Sequence, residues 1–146
     1  MKNIKAELID MLNQALRLEH AARIQYLAHA EQIPGLNAEA IIARLRELAS
    51  DEAKHEKKIR TLIASYLGGT PCMDLAPTHP GKNIKSILDI NLRDEKSAID
   101  FYKTIYNKVV ENKTTFTYEF ETLEHELRHI ILEEQEHVTE LKTLIG

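Results

Sequence analysis

Glu52-x-x-His55 and Glu134-x-x-His137 each set a carboxylate and an imidazole one helical turn apart, twice in one chain. Each pair follows a lone glutamate, Glu19 for the first and Glu95 for the second. Each lone glutamate has a tyrosine seven residues later, Tyr26 and Tyr102. The chain therefore repeats one chemical pattern, a Glu and then a Glu-x-x-His, with a slightly longer spacing the second time. Four carboxylates and two imidazoles form a ligand set for two divalent cations, whose four positive charges balance four carboxylates while neutral imidazoles complete the coordination. Oxygen-rich ligation with one imidazole per ion suits iron, or manganese, better than structural zinc, which takes thiolate and imidazole.

The surrounding residues decide whether the six meet. Glu52 and His55 interrupt the stripe Ile41, Leu45, Leu48, Ile59, Leu62, Tyr66, whose members recur every three or four residues on one side of a helix. Glu134 and His137 interrupt Phe120, Leu123, Leu127, Ile130, Leu141 in the same way. Glu19 falls within Leu8, Leu12, Ala15, Ala22, Tyr26, and Glu95 within Ile84, Leu88, Asn91, Ala98, Tyr102, Ile105. All six thus face a helical core, and no lysine or arginine shares their layer. Burying an unpaired carboxylate costs several kcal/mol, about the scale at which four together demand a counter-charge.

Not every such pair is a ligand. Glu126-x-x-His129 has the same spacing but polar helical neighbours, Glu119, Thr122 and Glu133, which assign it to the surface. His20, His29, His79 and His125 read as exposed or as neighbours of ligands, and Glu133 and Glu136 as solvated. Tyr26 and Tyr102 fit equally as core aromatics or as hydrogen-bonding partners of the site.

The helix breakers set the architecture. Apart from Gly146, the five Gly and four Pro fall at Pro34-Gly35 or between Gly68 and Gly81. Breaker-free blocks of about 3–33, 37–67 and 82–145 result. The last is too long for one helix, and Asn112–Thr117, polar and β-branched, divides it. Four helices of roughly 26–31 residues follow, each on the order of 40 Å long. Short joints make two antiparallel hairpins, and one long Pro- and Gly-rich crossover connects them, an all-α four-helix bundle.

The 146 residues fit one domain, 1–146. A net charge of −4 disfavours nucleic acid as a partner. No apolar run spans a membrane. The start of the chain shows no signal-peptide core, and the one cysteine, Cys72, excludes an internal disulfide framework, so a cytoplasmic location is expected.

At these residues the chain resembles the ferritin-like superfamily, and most closely bacterioferritin. Glu19…Ile24-Gln25-Tyr26…His29-Ala30 is similar to the family's first helix and Asp51-Glu52-Ala53-Lys54-His55 to its second. Leu67-Gly68-Gly69-Thr70-Pro71 is similar to the start of its crossover, and Glu134-Gln135-Glu136-His137 to its last metal motif. The resemblance implies that Glu19, Glu52 and His55 hold one iron ion and Glu95, Glu134 and His137 the other. Glu52 and Glu134 would bridge, and Tyr26 would lie just outside. It implies ferroxidation of Fe(II) by dioxygen or peroxide, with storage of ferric mineral in a hollow shell. The residue after the second-helix Glu, a haem-ligating Met in bacterioferritin, is Ala53, so no haem is expected. A short fifth helix has no counterpart before Gly146, which leaves the homo-oligomer as a dimer or a cage. The third-helix motif carries Ala98 where rubrerythrins have a further Glu. Other readings of the same six residues are a non-cage di-iron or di-manganese oxidoreductase reducing peroxide or oxygen, and a metal-stabilised helical module without turnover.

Overall fold

The computed structural model describes residues 3–35 and 38–146. Four helices carry most of them: α1 (Ile4–Gln32), α2 (Glu39–Thr61), α3 (Ile84–Glu111) and α4 (Phe120–Ile145). No strand occurs among the described residues. The architecture is the four-helix bundle that the breaker positions imply.

Local chemistry starts and stops these helices. The Asn3 side chain accepts the Ala6 N–H at 3.0 Å and caps α1. Ile33, just past its end, is extended at ψ 116°, as the following Pro34 demands. Before α3, Asn83 accepts the Ser86 N–H at 2.9 Å while the Ser86 hydroxyl accepts the Asn83 N–H at 3.1 Å. Two otherwise orphaned donors are thereby satisfied.

The second helix departs from the sequence expectation. Its expected start at 37 lies outside the described residues, and regular α-helix stops at Thr61 rather than near 67. A π-helical turn, Leu62–Tyr66, follows, closed by the Leu67 N–H on the Leu62 carbonyl at 3.0 Å. The wider turn brings Leu62, Ile63 and Leu67 all into the core, each at most 1% exposed. Gly68, at φ +70°, then turns the chain in a backbone region that side chains with a Cβ avoid.

The crossover 67–83 has no regular structure and is held along α1 by that helix's polar side chains. Asn13 donates to the Thr70 carbonyl, Gln25 accepts from the His79 N–H, and Gln32 donates to the Gly81 carbonyl. The strap thus runs the length of α1 and delivers the chain to the far end of the bundle. Between α3 and α4 the expected break at Asn112–Thr117 is present, and Phe116 is buried beneath it.

The apolar interior is divided in two. One cluster gathers Leu8, Leu12, Ile59, Ile105, Leu123 and Leu127 with their neighbours. The other gathers Ala30, Leu45, Leu48, Leu88 and Leu141 with theirs. The layer between them belongs to the six polar residues at mid-helix. Because the apolar halves hold the helices in register without that layer, Leu12→Ala is expected to cost about 2–5 kcal/mol in the metal-free protein, read by denaturant unfolding.

Candidate metal centre

Glu19 lies on α1, Glu52 and His55 on α2, Glu95 on α3, and Glu134 and His137 on α4, and the structure brings all six together. Each is at most 4% exposed, although Glu is almost never fully buried unless paired. They form two groups, Glu19–Glu52–His55–Glu134 and Glu52–Glu95–Glu134–His137, within which one ligand atom per residue lies within 4.8 Å of the others. Glu52 and Glu134 belong to both. His55 Nδ1 lies 2.8 Å from Glu134 Oε1 and 3.6 Å from Glu19 Oε2. On the other side, His137 Nδ1 lies 3.1 Å from Glu52 Oε1 and 3.4 Å from Glu95 Oε1.

One atom of every residue in the set is left over. Glu19 Oε2, Glu52 Oε1, Glu95 Oε2, Glu134 Oε1, His55 Nδ1 and His137 Nδ1 are buried without a hydrogen-bond partner. Buried polar atoms are ordinarily paired, and six orphans spread over two overlapping groups fit the donor set of two cations. The chain shows what a compensated buried carboxylate looks like elsewhere. Glu56, 5% exposed, meets Arg23 Nε at 2.5 Å and lies near His20 and Arg60. None of the four central carboxylates has a lysine or arginine partner among the described residues.

The remaining ligand-side atoms are held from outside. Tyr26 donates to Glu95 Oε1 and Tyr102 to Glu19 Oε1, both at 2.6 Å. Each tyrosine serves the lone glutamate of the other hairpin. Burial, and then the nearby carboxylates, push both phenols well above the ordinary range, so they remain protonated donors. His55 Nε2 lies 2.7 Å from Glu133 Oε2, and His137 Nε2 lies 3.0 Å from Asp51 Oδ2. An ionised carboxylate only accepts, so each Nε2 carries a proton, and each Nδ1 would offer its lone pair to the centre once a cation displaces the proton there.

These acids correct the sequence reading. Glu133 is not simply solvated: it is part-exposed and anchors His55. Asp51 was not separated from its surroundings at all. The signal was present, since an acid immediately precedes the glutamate of both Glu-x-x-His pairs. Glu136 is exposed, as expected. His29, by contrast, is buried, its ring between the Asn91 amide at 2.9 Å and the His79 carbonyl at 3.0 Å. Burial lowers its pKa and keeps it neutral. His20 meets the Asp74 carbonyl, and His79 pairs with Asp94 at 3.0 Å. None of these histidines reaches the six.

A cavity of about 490 Å³ opens between α1 and α3. Exposed Pro77 and Arg93 line it together with buried Glu19, Glu52, Glu95 and Glu134, so small molecules and ions have a path from solvent to the carboxylates.

The metal-free site is electrostatically unbalanced. Burial, reinforced by the charges of Glu134 and Glu19, pushes Glu52 well above the usual carboxyl range. Burial alone would also raise Glu134, but the facing imidazoles of His137 and His55 pull it down instead. Burial would depress His55, yet Glu134 and Glu19 outweigh it and raise its pKa to about 11.

A model of the ferritin-like domain family matches residues 9–146. The chain is 32% identical over 90 residues to a bacterial ferritin of Pseudomonas aeruginosa, covering 62% of this chain and 58% of that protein. The chain thus spans less than two thirds of that relative's length. Among solved structures, it superposes on a ferritin-like, diiron-carboxylate protein of Bacillus anthracis with a TM-score of 0.89 over 100% of both chains, at 24% identity, a likeness of fold. It matches Rhodobacter capsulatus bacterioferritin with a TM-score of 0.83 at 27% identity, over 99% of this chain and 86% of that one. That structure is described as having a metal-free dinuclear site and a haem iron.

The metal-free imbalance has a pH signature. A raised His55 pKa stabilises the fold fully below about pH 6.5, its ordinary value, and that contribution is lost as pH climbs toward the folded value. Raised Glu52 acts in the same direction. Thermal unfolding of chelator-treated protein should therefore give a melting temperature that falls between about pH 6.5 and 9, while added Mn(II), which needs neutral imidazoles and ionised carboxylates, should offset the fall. A metal-free melting temperature that rises over this range contradicts the assignment.

Proposed function

The chain belongs to the ferritin-like domain family, and we propose that it is a ferroxidase whose substrate Fe(II) is bound by Glu19, Glu52, His55, Glu95, Glu134 and His137. The convergence of six unpartnered donor atoms carries this reading. Glu19 and His55 would serve one ion, Glu95 and His137 the other, and Glu52 and Glu134, common to both groups, would be shared by them. Manganese satisfies the same donors, and iron is favoured because it can give up the electron the reaction requires.

The chemistry of the bound ions is the loss of one electron from each Fe(II), two electrons in all, which reduce dioxygen to hydrogen peroxide with two protons, or hydrogen peroxide to two waters with two protons. The protein's contribution is positioning. Glu52 and Glu134 hold both ions within reach of one oxidant molecule, so that the two electrons are delivered together. The Tyr26 and Tyr102 hydroxyls fix the lone carboxylates, and Glu133 and Asp51 fix the imidazole planes and their protonated edges. Six residues with two shared would not saturate two ions, and the cavity would give an oxidant access to them. Its carboxylate walls draw cations inward.

The same reading extends to the setting. It places the chain in the cytoplasm, as a homo-oligomer, dimer or cage, and solution mass distinguishes the two. It expects no haem of the bacterioferritin kind, because Ala53, exposed on α2, offers no thioether. No described helix is long and apolar enough to cross a membrane.

Anaerobic loading with Fe(II) followed by oxygen should give rapid oxidation of about two irons per chain, seen as ferric absorbance in stopped flow. Glu52→Ala and His137→Ala should lose that phase. Equal rates in the wild-type protein and both variants would overturn the proposal.

A further inference from the structure

Outside the central layer, α4 carries a second line of metal-ligating side chains. Glu121, His125, His129 and Glu133 follow one another at four-residue steps, so they form a single row along the helix. His125 is exposed and His129 part-exposed, on the side of α4 opposite its buried stripe. Their rings lie 4.2 Å apart between centroids with 36° between planes. His20, His29, His55, His79 and His137 each have a polar partner within the protein. His125 and His129 make no hydrogen bond or ion pair among the described residues, and neither does Glu121 at the solvent end of the row. At the other end Glu133 is already engaged by His55 Nε2 at 2.7 Å.

We propose that His125 and His129 form a second divalent-cation site on the outer face of α4, with the remaining positions filled by water. Two imidazoles one helical turn apart chelate an ion from one side, the geometry that paired histidines on a helix supply to zinc. Both are held on a rigid helix, so little ordering is needed on binding. With two imidazole nitrogens, this site prefers borderline cations, Cu(II) above Ni(II) and Zn(II), whereas the buried centre offers mostly oxygen. Acids on the same helix, Glu124, Glu126 and Glu136 among them, give the helix an excess of negative charge that favours cation approach. The site needs none of the six central residues, so it stands independently of the ferroxidase reading.

Nitrogen count separates the two sites. Each buried group contains one histidine, whereas the α4 site contains two. The metal-free chain titrated with Cu(II) alone should show, by pulsed electron paramagnetic resonance, a copper population with two imidazole nitrogens. His129→Gln should reduce that population to one nitrogen, and the double variant His125→Gln/His129→Gln should lose it, with one fewer Cu(II) bound per chain at saturation. Fe(II) oxidation by the double variant at saturating iron should match the wild-type protein, because neither histidine belongs to the six central residues or is hydrogen-bonded to them. Copper stoichiometry and a two-nitrogen signal unchanged in the double variant would overturn the proposal, as would a wild-type titration that shows only one-nitrogen copper.

Discussion

Four carboxylates share one buried layer with no lysine or arginine among them, and the rest of the chain is organised around that debt. Left unpaired, each would cost several kcal/mol, about as much as a domain's whole margin of stability when summed. The fold meets the constraint in two ways. Apolar clusters above and below the layer clamp the helices, so the backbone does not depend on the polar residues for register. Two cations between the carboxylates would then supply the missing charge, and the orphaned atom on each of the six residues is where they would bind.

The supporting hydrogen bonds have a common direction. Tyr26 on α1 holds Glu95 on α3, and Tyr102 on α3 holds Glu19 on α1. Glu133 on α4 holds His55 on α2, and Asp51 on α2 holds His137 on α4. All four bonds join one hairpin to the other, and none stays within a hairpin. The centre is therefore also a polar contact between the hairpins, and cations bound there would add to the stability of the bundle. The approximate two-fold relation of these bonds matches the repeated Glu and Glu-x-x-His of the sequence.

Much of this was legible beforehand, for a definite reason. Helical periodicity is strong in long breaker-free blocks, and a carboxylate in an apolar stripe stands out against its neighbours, so the six central residues and the bundle could be read from spacing alone. What escaped depends on geometry between helices. Spacing cannot say that each tyrosine reaches the opposite hairpin rather than its own helix. Nor can it distinguish Glu133, which anchors an imidazole, from Glu136, which faces water, three residues away on the same helix. The π-helical turn at Leu62–Tyr66 was hidden for a similar reason: one widened turn leaves composition unchanged and shows only when Leu62, Ile63 and Leu67 are all found buried. His29 read as a peripheral histidine because its partners, Asn91 and the strap carbonyl of His79, come from distant parts of the chain.

The central claim is that a pair of cations resides in the carboxylate layer, and anomalous diffraction from crystals loaded anaerobically with Fe(II) tests it most directly. Two anomalous peaks per chain about 3.5–4 Å apart, flanked by Glu52 and Glu134 with His55 Nδ1 and His137 Nδ1 on opposite sides, is the result this account predicts. A layer without anomalous density under saturating iron, with the carboxylates protonated and bonded to one another, would contradict it.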